Sequence, residues 1–505
     1  MRWSRPDVQA GVVVLALAAW HGIAGALVGL GDAEALYYCY GRHLAGSYLD
    51  HPPMIGWLIA AATRVLGVSP GAVRMIPTIC HALTLAGAFV LARDGFESGR
   101  AGLVAVLALA LVPMVTVGGL AAAPDAPASA LWVWSVVVFA AALRRHRRGN
   151  ASTRGRGWIE AGLVGAMFGL TFVAKVTGFF LIIGALAALA HPSHRSLLRS
   201  ARPWIAAAAC AAVVTPVVLW NDAHGWAGVL HRFVWTQGGF GLSLTRLGAA
   251  VGGQALYLGV PMAAGVVHAL VWLWRRRHDA EHAVLLSFAA PALGCMLALC
   301  ASSPAAEPHW PAQGYLTLTV ALGGLCTRDE DRPRRLRAWT LAASIWLAVV
   351  LLVLHLAVWT SLLPVALGRR YEPQYDLTNE LHGWPDVARA VLSARNPGEP
   401  VAGSHYTICS QLRFALDAAG APADTRVLCL SSGMDDFDIW GEGSARGARS
   451  VLYVEDDRFG VPPGVALPGW RARALDRVEL VRGGRVVRSF GLFRAIPVDQ
   501  VRGQP

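Results

Sequence analysis

Long apolar runs alternate with short polar loops over roughly the first 360 residues. The pattern predicts about eleven membrane-spanning helices, near 9–29, 71–92, 101–119, 126–143, 158–174, 176–190, 203–220, 249–273, 282–301, 310–326 and 338–359. At about 1.5 Å per residue, ~20 apolar residues match the ~30 Å hydrocarbon core of a bilayer. The two runs between 158 and 190 are short and meet at the polar Lys175. The stretch 53–67 is apolar but too short to cross, and is expected as a helix lying near the membrane surface. The first run has no small-residue cleavage site behind it and is expected to be a retained helix.

After residue 367 the pattern changes. "WPDVARAVLSAR" and "SQLRFALDAAG" carry helical spacing, whereas "SVLYVED" and "RVELV…RVVRSFGLF" read as strands, the last two joined at Gly483-Gly484. No repeat of fixed period is visible. The expected organisation is an all-α polytopic domain over 1–367, with a large first outer loop at 31–70, and a small α/β domain over 368–505.

Composition agrees with the membrane assignment. The 505 residues are 55% hydrophobic and 15% charged, with mean hydropathy +0.46, against the ~25% charge of an ordinary soluble domain. The formal charge of +12 does not point to nucleic acid, because the arginines sit in short loops between spans and form no stripe on a soluble domain. The 8 cysteines show no zinc spacing. Cys409 and Cys429 fall in the last stretch, either as a pair or as free buried thiols.

The arginines orient the chain. Arg144, Arg145, Arg147, Arg148, Arg154 and Arg156 crowd one loop, Arg195, Arg199 and Arg202 mark the loop two spans later, Arg275, Arg276 and Arg277 the next, then Arg328, Arg332, Arg334, Arg335 and Arg337. Arg2 and Arg5 join them at the N-terminus. The positive-inside rule makes that side cytoplasmic. The other loops, and residues 368–505, then face outward.

Those outward loops hold Asp32, Glu34, Asp50, Asp125, Asp222 and Glu307, with His43, His51, His224 and His309. Solvated loops also need polar residues. Yet Asp125 and Glu307 stand at the ends of spans beside prolines, where a carboxylate is held close to the membrane plane and is costly unless used. Lys175 is the single lysine among 44 Lys and Arg residues. It reads either as a snorkelling side chain or, the preferred reading, as a point-charge ligand for an anionic lipid phosphate. Asp50 or His51 could cap the helix after Pro52-Pro53 and still be presented to a cavity. "WNDAHGW" suits a helix-ending turn with interfacial tryptophans, or a cavity wall.

"DAEALYYCYGRHLAGSYLDHPPMIGWLI", "PDAPASALWVW", "GLTFVAKVTGFFL", "PVVLWNDAHGWA" and "EPHWPAQGYL" follow, in order, the pattern of bacterial family 39-like glycosyltransferases. That family is similar to dolichyl-phosphate-mannose protein mannosyltransferases and to the lipid A aminoarabinose transferases. The resemblance covers roughly 9–320. It implies the GT-C architecture: many helices, an outer-loop surface helix and a cavity at the outer face of the inner membrane. It implies transfer of a sugar from a polyprenyl-phosphate donor to a lipid, glycan or protein acceptor, with inversion. The usual adjacent Asp-Glu pair is split here as Asp32-Ala33-Glu34.

On this resemblance Asp32 or Glu34, with Asp125, would take the acceptor proton. Lys175, then Arg42, Arg74, His51 and His309, would hold the donor phosphate. Asp50, Tyr37, Asn221, His224 and Glu307 would line the cavity. A divalent metal ion is the one cofactor to consider, at Asp32, Glu34 and Asp125. A transporter or flippase would show paired halves and polar groups at mid-depth, which this sequence lacks. A GT-C protein that binds a lipid-linked sugar without turning it over is the other alternative.

Overall fold

A computed structural model describes residues 4–148, 154–236, 238–239, 241–328 and 333–498. Arg2 and Arg332, used above for orientation, lie outside them. Among the described residues, seven helices are long and apolar enough to cross a membrane: Arg5–Ala26, Pro70–Phe96, Asp125–Arg147, Gly155–Ala174, Arg202–Ala223, Ala280–Ser302 and Ala338–Trp359. An eighth is reached if Leu244–Leu258 and Val260–Arg275 count as one span. The eleven expected spans are therefore not all long helices. The run 101–119 breaks into Gly99–Ala110 and Pro113–Gly118, because Pro113 lacks the amide that would continue the first helix. The run 176–190 yields only an 11-residue helix, Phe180–Ala190, behind a 3₁₀ turn. The run 249–273 bends by 100° at Gly259, whose φ of +79° suits glycine. A Cβ there would stand 2.6 Å from Trp346.

The chain packs as two compact units. The first comprises Met1–Ile23, Ala45–Ile55 and Arg74–Leu351. It is a helical bundle whose core includes Trp132, Phe139, Phe168, Phe288 and Leu318. The indole of Trp132 donates to Thr317 at 3.0 Å, and Ser135 meets Thr171 at 3.1 Å, so these polar groups inside the bundle find partners. Helices Arg154–Ala174 and Arg202–Ala223 run in the same direction, Gly157 beside Arg202 and Gly169 beside Val213. They approach closely because Gly165 has no side chain: a Cβ there would lie 1.9 Å from the carbonyl oxygen of Ala206.

The second unit comprises Ala24–Leu44, Gly56–Val73 and Leu352–Pro505. It is thus larger than the 368–505 domain expected from the pattern. Its sheet has strands β1 (Val401–Gly403), β2 (Val427–Cys429), β3 (Val451–Asp456), β4 (Trp470–Arg482) and β5 (Arg485–Pro497), in the order β2-β1-β3-β5-β4. β1 pairs parallel with β2 and β3, while β5 pairs antiparallel with β3 and β4. The β4–β5 hairpin turns at Gly483 and Gly484, both at positive φ, at the turn the glycine pair predicts. Helices Trp384–Ala394 and Tyr406–Ala418 match the two helical stretches. Buried Arg488 is ion-paired to Asp456 and lies over the Trp384 ring at 4.9 Å. Cys409 and Cys429 are both free and buried.

Candidate active site

Lys175 sits where a span breaks. Helix Arg154–Ala174 ends, Lys175 is extended at φ −156°, and a 3₁₀ turn, Val176–Phe179, follows. The break turns a buried ammonium, 2% exposed, toward the start of helix Asp125–Arg147. There Nζ donates to Asp125 Oδ1 at 2.6 Å. Asp125 is the first residue of its helix, where the positive end of the macrodipole favours a carboxylate. Its other oxygen faces His309 Nε2 at 3.9 Å. Beside Lys175, the Thr177 hydroxyl is buried without a hydrogen-bond partner among the described residues.

Two more loops reach the same group. Asp50 Oδ1 lies 3.2 Å from His231 Nδ1. His51 feels the charges of Asp50, Arg232, Lys175 and Asp125, which links the Asp50–His231 pair to the Asp125–Lys175 pair. Arg232 stacks over Trp310 at 4.8 Å. The loop carrying Trp310 and His309 is tied down by Gln254, whose amide donates to the Pro308 carbonyl at 2.8 Å.

Burial pushes the His51 imidazole down to about 4, against the pull of Asp50, so the ring is neutral at pH 7. Burial also lowers His309, and Asp125 only partly offsets it. For Asp50, burial works upward, but the hydrogen bond to His231 and the nearby positive charge, that of Arg232 included, outweigh it and hold the carboxyl low. The cluster therefore has two carboxylates, two fixed cations, and two imidazoles, His51 and His309, biased toward neutrality. It can bind an anion with Lys175 and Arg232 and accept a proton on Asp125.

His231 and Arg232 were missed in the sequence. They lie in "HGWAGVLHRFVW", where a second basic and aromatic group follows His224 by seven residues in the same segment. The segment is unusual in backbone as well: His231–Trp235 forms a π-helical turn, and Trp226 has φ +61°, which non-glycine residues seldom adopt.

Several expected cavity residues have local jobs. Asn221 is buried and donates to Val217 O at 2.9 Å, while its Oδ1 accepts from Val229 N at 3.3 Å. His224 stacks on Trp220 at 4.3 Å and bonds its carbonyl at 2.7 Å. Both shape the turn at the end of helix Arg202–Ala223. Glu307 acts on His309 through its charge. Arg74 is buried in helix Pro70–Phe96.

Asp32, Glu34, Tyr37 and Arg42 belong to the second unit, on helix Asp32–Arg42. Glu34 accepts from the Gly31 amide at 2.9 Å, closing the helix start. Asp32 is buried, accepts from Gln411 at 3.0 Å and lies 3.4 Å from Arg458. Its backbone amide donates to Glu380 at 3.2 Å. Burial and the Glu380 charge push the Asp32 carboxyl up to about 6. Arg42 pairs with Asp417 at 3.5 Å, and Tyr37 is buried with its ring tilted on Tyr40 at 5.7 Å. A contact within the second unit thus engages Arg42, which was expected at the donor phosphate. Among the described residues no group of three His, Cys, Asp or Glu is arranged to hold a metal ion.

Residues 50–220 match the family model described as dolichyl-phosphate-mannose-protein mannosyltransferase. A curated relative, the lipid A galacturonosyltransferase RgtD of Rhizobium johnstonii, is 24% identical over 297 residues. That alignment takes in 57% of this chain and 58% of the relative, so the chain spans less than two thirds of the relative's length. Among solved structures, ArnT from Cupriavidus metallidurans in the apo state superposes with a TM-score of 0.62 at 14% identity, covering 95% of this chain and 97% of that one. The same protein bound to undecaprenyl phosphate gives 0.59 at 15% identity, with the same coverage. Residues 50–220 thus resemble that mannosyltransferase family in sequence, and the superposition shows that the chain shares the fold of ArnT.

Proposed function

We propose that this chain is an integral-membrane glycosyltransferase, moving a sugar from a polyprenyl-phosphate donor to a lipid, glycan or protein acceptor at the outer face of the inner membrane. The observation that carries the reading is the buried Asp125–Lys175 pair, at 2.6 Å, with His309 facing Asp125; Asp125, Lys175 and His51 fall inside the matched region. The outer compartment holds no sugar nucleotides, so an activated sugar has to arrive on a lipid. The undecaprenyl phosphate of the superposed ArnT structure supports that class of donor.

In this reading the acceptor hydroxyl oxygen attacks the anomeric carbon. The bond from that carbon to the phosphate oxygen breaks, and polyprenyl phosphate leaves with the bonding electrons. A single displacement inverts the anomeric centre. Lys175 and Arg232 balance the charge growing on the leaving phosphate, and neutral His51 and the Thr177 hydroxyl donate hydrogen bonds to it. When the phosphate recruits Lys175, Asp125 loses its nearest counter-ion and becomes a better base for the acceptor proton. The named activity of the curated relative favours a uronic acid as sugar and a lipid A-type glycolipid as acceptor.

The test uses full-length protein in lipid nanodiscs, radiolabelled undecaprenyl-phosphate sugars that include galacturonate, aminoarabinose and mannose, and bacterial glycolipid as acceptor. Wild type is compared with Asp125→Asn, Lys175→Met, Asp32→Asn and Glu34→Gln. Transfer from one donor that stops in the Asp125 and Lys175 variants supports the reading. The two first-loop variants show whether either carboxylate shares the proton-accepting role. Donor binding without transfer by wild type would favour the non-catalytic binder. Neither binding nor transfer would favour a transporter.

A further inference from the structure

A second site lies in the helical bundle, independent of sugar transfer. A cavity of about 480 Å³ runs between helices Asp125–Arg147, Arg154–Ala174, Phe180–Ala190 and Arg202–Ala223. It extends from Gly157 to Phe172 along one helix, about 22 Å at 1.5 Å per residue, and so reaches through much of a ~30 Å hydrocarbon core. Its walls are apolar or small throughout, except at one end. There Glu160 and Arg202 are its charged lining residues. Two helices bring their C-terminal ends to that point, at Leu143 and Leu189, and two their N-terminal ends, at Gly157 and Arg202, on the arginine-rich side of the bundle.

The charges at this end are unbalanced. Glu160 is already claimed by Arg145 at 2.9 Å and by Arg156 at 3.4 Å. The Arg202 guanidinium packs over Gly157, where a Cβ would come within 2.6 Å of it, and has no hydrogen bond or ion pair among the described residues. Helices of a membrane bundle usually fill the space between them with side chains. Here the alanines at 161, 206, 207 and 211 leave a slot instead. An apolar slot ending in an uncompensated guanidinium suits an amphiphile with one hydrocarbon chain inside and an anionic phosphate at the mouth. Arginine binds phosphate through its planar fork, and basic pockets between helices select anionic head groups.

We infer that this groove is a binding site for an anionic phospholipid, with one acyl chain between the helices and its phosphate on Arg202. Charge complementarity chooses the occupant: a zwitterionic lipid would bring its own cation to an end that already has a surplus.

The test is native mass spectrometry of the full-length protein in detergent, with 1-palmitoyl-2-oleoyl-phosphatidylglycerol as probe and phosphatidylcholine of the same chains as control. One phosphatidylglycerol should stay bound per protein, at least tenfold more readily than phosphatidylcholine. Arg202→Gln should erase that preference and leave phosphatidylcholine binding unchanged. Ala207→Trp should fill the slot and remove both lipids. If that variant does not fold, Ala211→Leu reads the same wall. Equal retention of the two lipids by wild type, or an unchanged preference in Arg202→Gln, would overturn the inference. Displacement of the phosphatidylglycerol by one equivalent of undecaprenyl phosphate would also overturn it, and would assign the slot to a prenyl chain.

Discussion

At the scale of single residues, the unusual expense of this protein is buried charge. Lys175 is 2% exposed and depends on Asp125 for its stability. Removing one of a set of charge-stabilising donors in an active site costs about 10²–10³ in rate. Lys175→Met is therefore expected to lower sugar transfer by at least ~100-fold, with Asp125→Asn comparable, measured as label released from the donor. A loss below ~5-fold in both would rule out the assigned roles. Asp32 gives a pH test of a different kind. Its folded value, about 6, lies above the ordinary carboxylate range, chiefly through burial and then the Glu380 charge, which Arg488, Gln411 and Arg458 only partly offset. The folded state then keeps a proton that the unfolded chain releases between pH ~4 and ~6. Stability is expected to fall as pH rises through that window, by an amount of order 2 kcal/mol, and to level off above it. Asp32→Asn should flatten the profile of unfolding midpoint between pH 4 and 7. Parallel profiles for the two proteins would refute the assignment.

At the scale of elements, broken helices position the chemistry. Lys175 is available because its span stops at Ala174 and restarts after a 3₁₀ turn, and His231 and Arg232 lie on a π-helical turn. Irregular backbone at membrane depth is tolerated where protein surrounds it. The close crossing of Arg154–Ala174 with Arg202–Ala223 also depends on a bare backbone at Gly165. Gly165→Leu is expected to push the two helices apart and to cost about 2 kcal/mol or more, as overpacking of a tight core does. A drop in thermal midpoint and loss of the monodisperse gel-filtration peak would register it, and an unchanged midpoint would show that the helices can separate freely.

At the scale of the whole molecule, the proposed topology has a direct check. With the eight native cysteines replaced, a cysteine placed at Arg148 should be shielded from a membrane-impermeant thiol reagent in intact spheroplasts. A cysteine at Arg389, exposed on helix Trp384–Ala394, should be labelled. The reverse pattern would invert the orientation and move the Asp125–Lys175 pair to the cytoplasmic face. The second unit also joins distant stretches of chain. Helix Asp32–Arg42 reaches Asp417 and Asp436 through Tyr38 and Tyr40, at 2.7 and 3.0 Å, so this helix of the first loop folds with the sheet, whereas Ala45–Ile55 belongs to the helical unit.

The sequence by itself determined what depends on local pattern. Apolar length set the membrane class, the alternation after residue 367 set the small sheet domain, and Gly483-Gly484 set its hairpin, because periodicity and turn chemistry act between near neighbours. It also singled out Lys175 and "DHPP", whose residue types stand out against their surroundings. Breaks inside apolar runs were harder to read, since hydropathy averages over a kink such as Gly259 and hides it. Tertiary structure alone decided the partners. Lys175 meets Asp125 across 50 residues, Asp50 meets His231 across 181, and Asp32 meets Arg458 across 426. Such meetings depend on how whole helices pack and where their ends come together. Charges on separate loops carry no periodic signal of that packing, so only the folded chain pairs them.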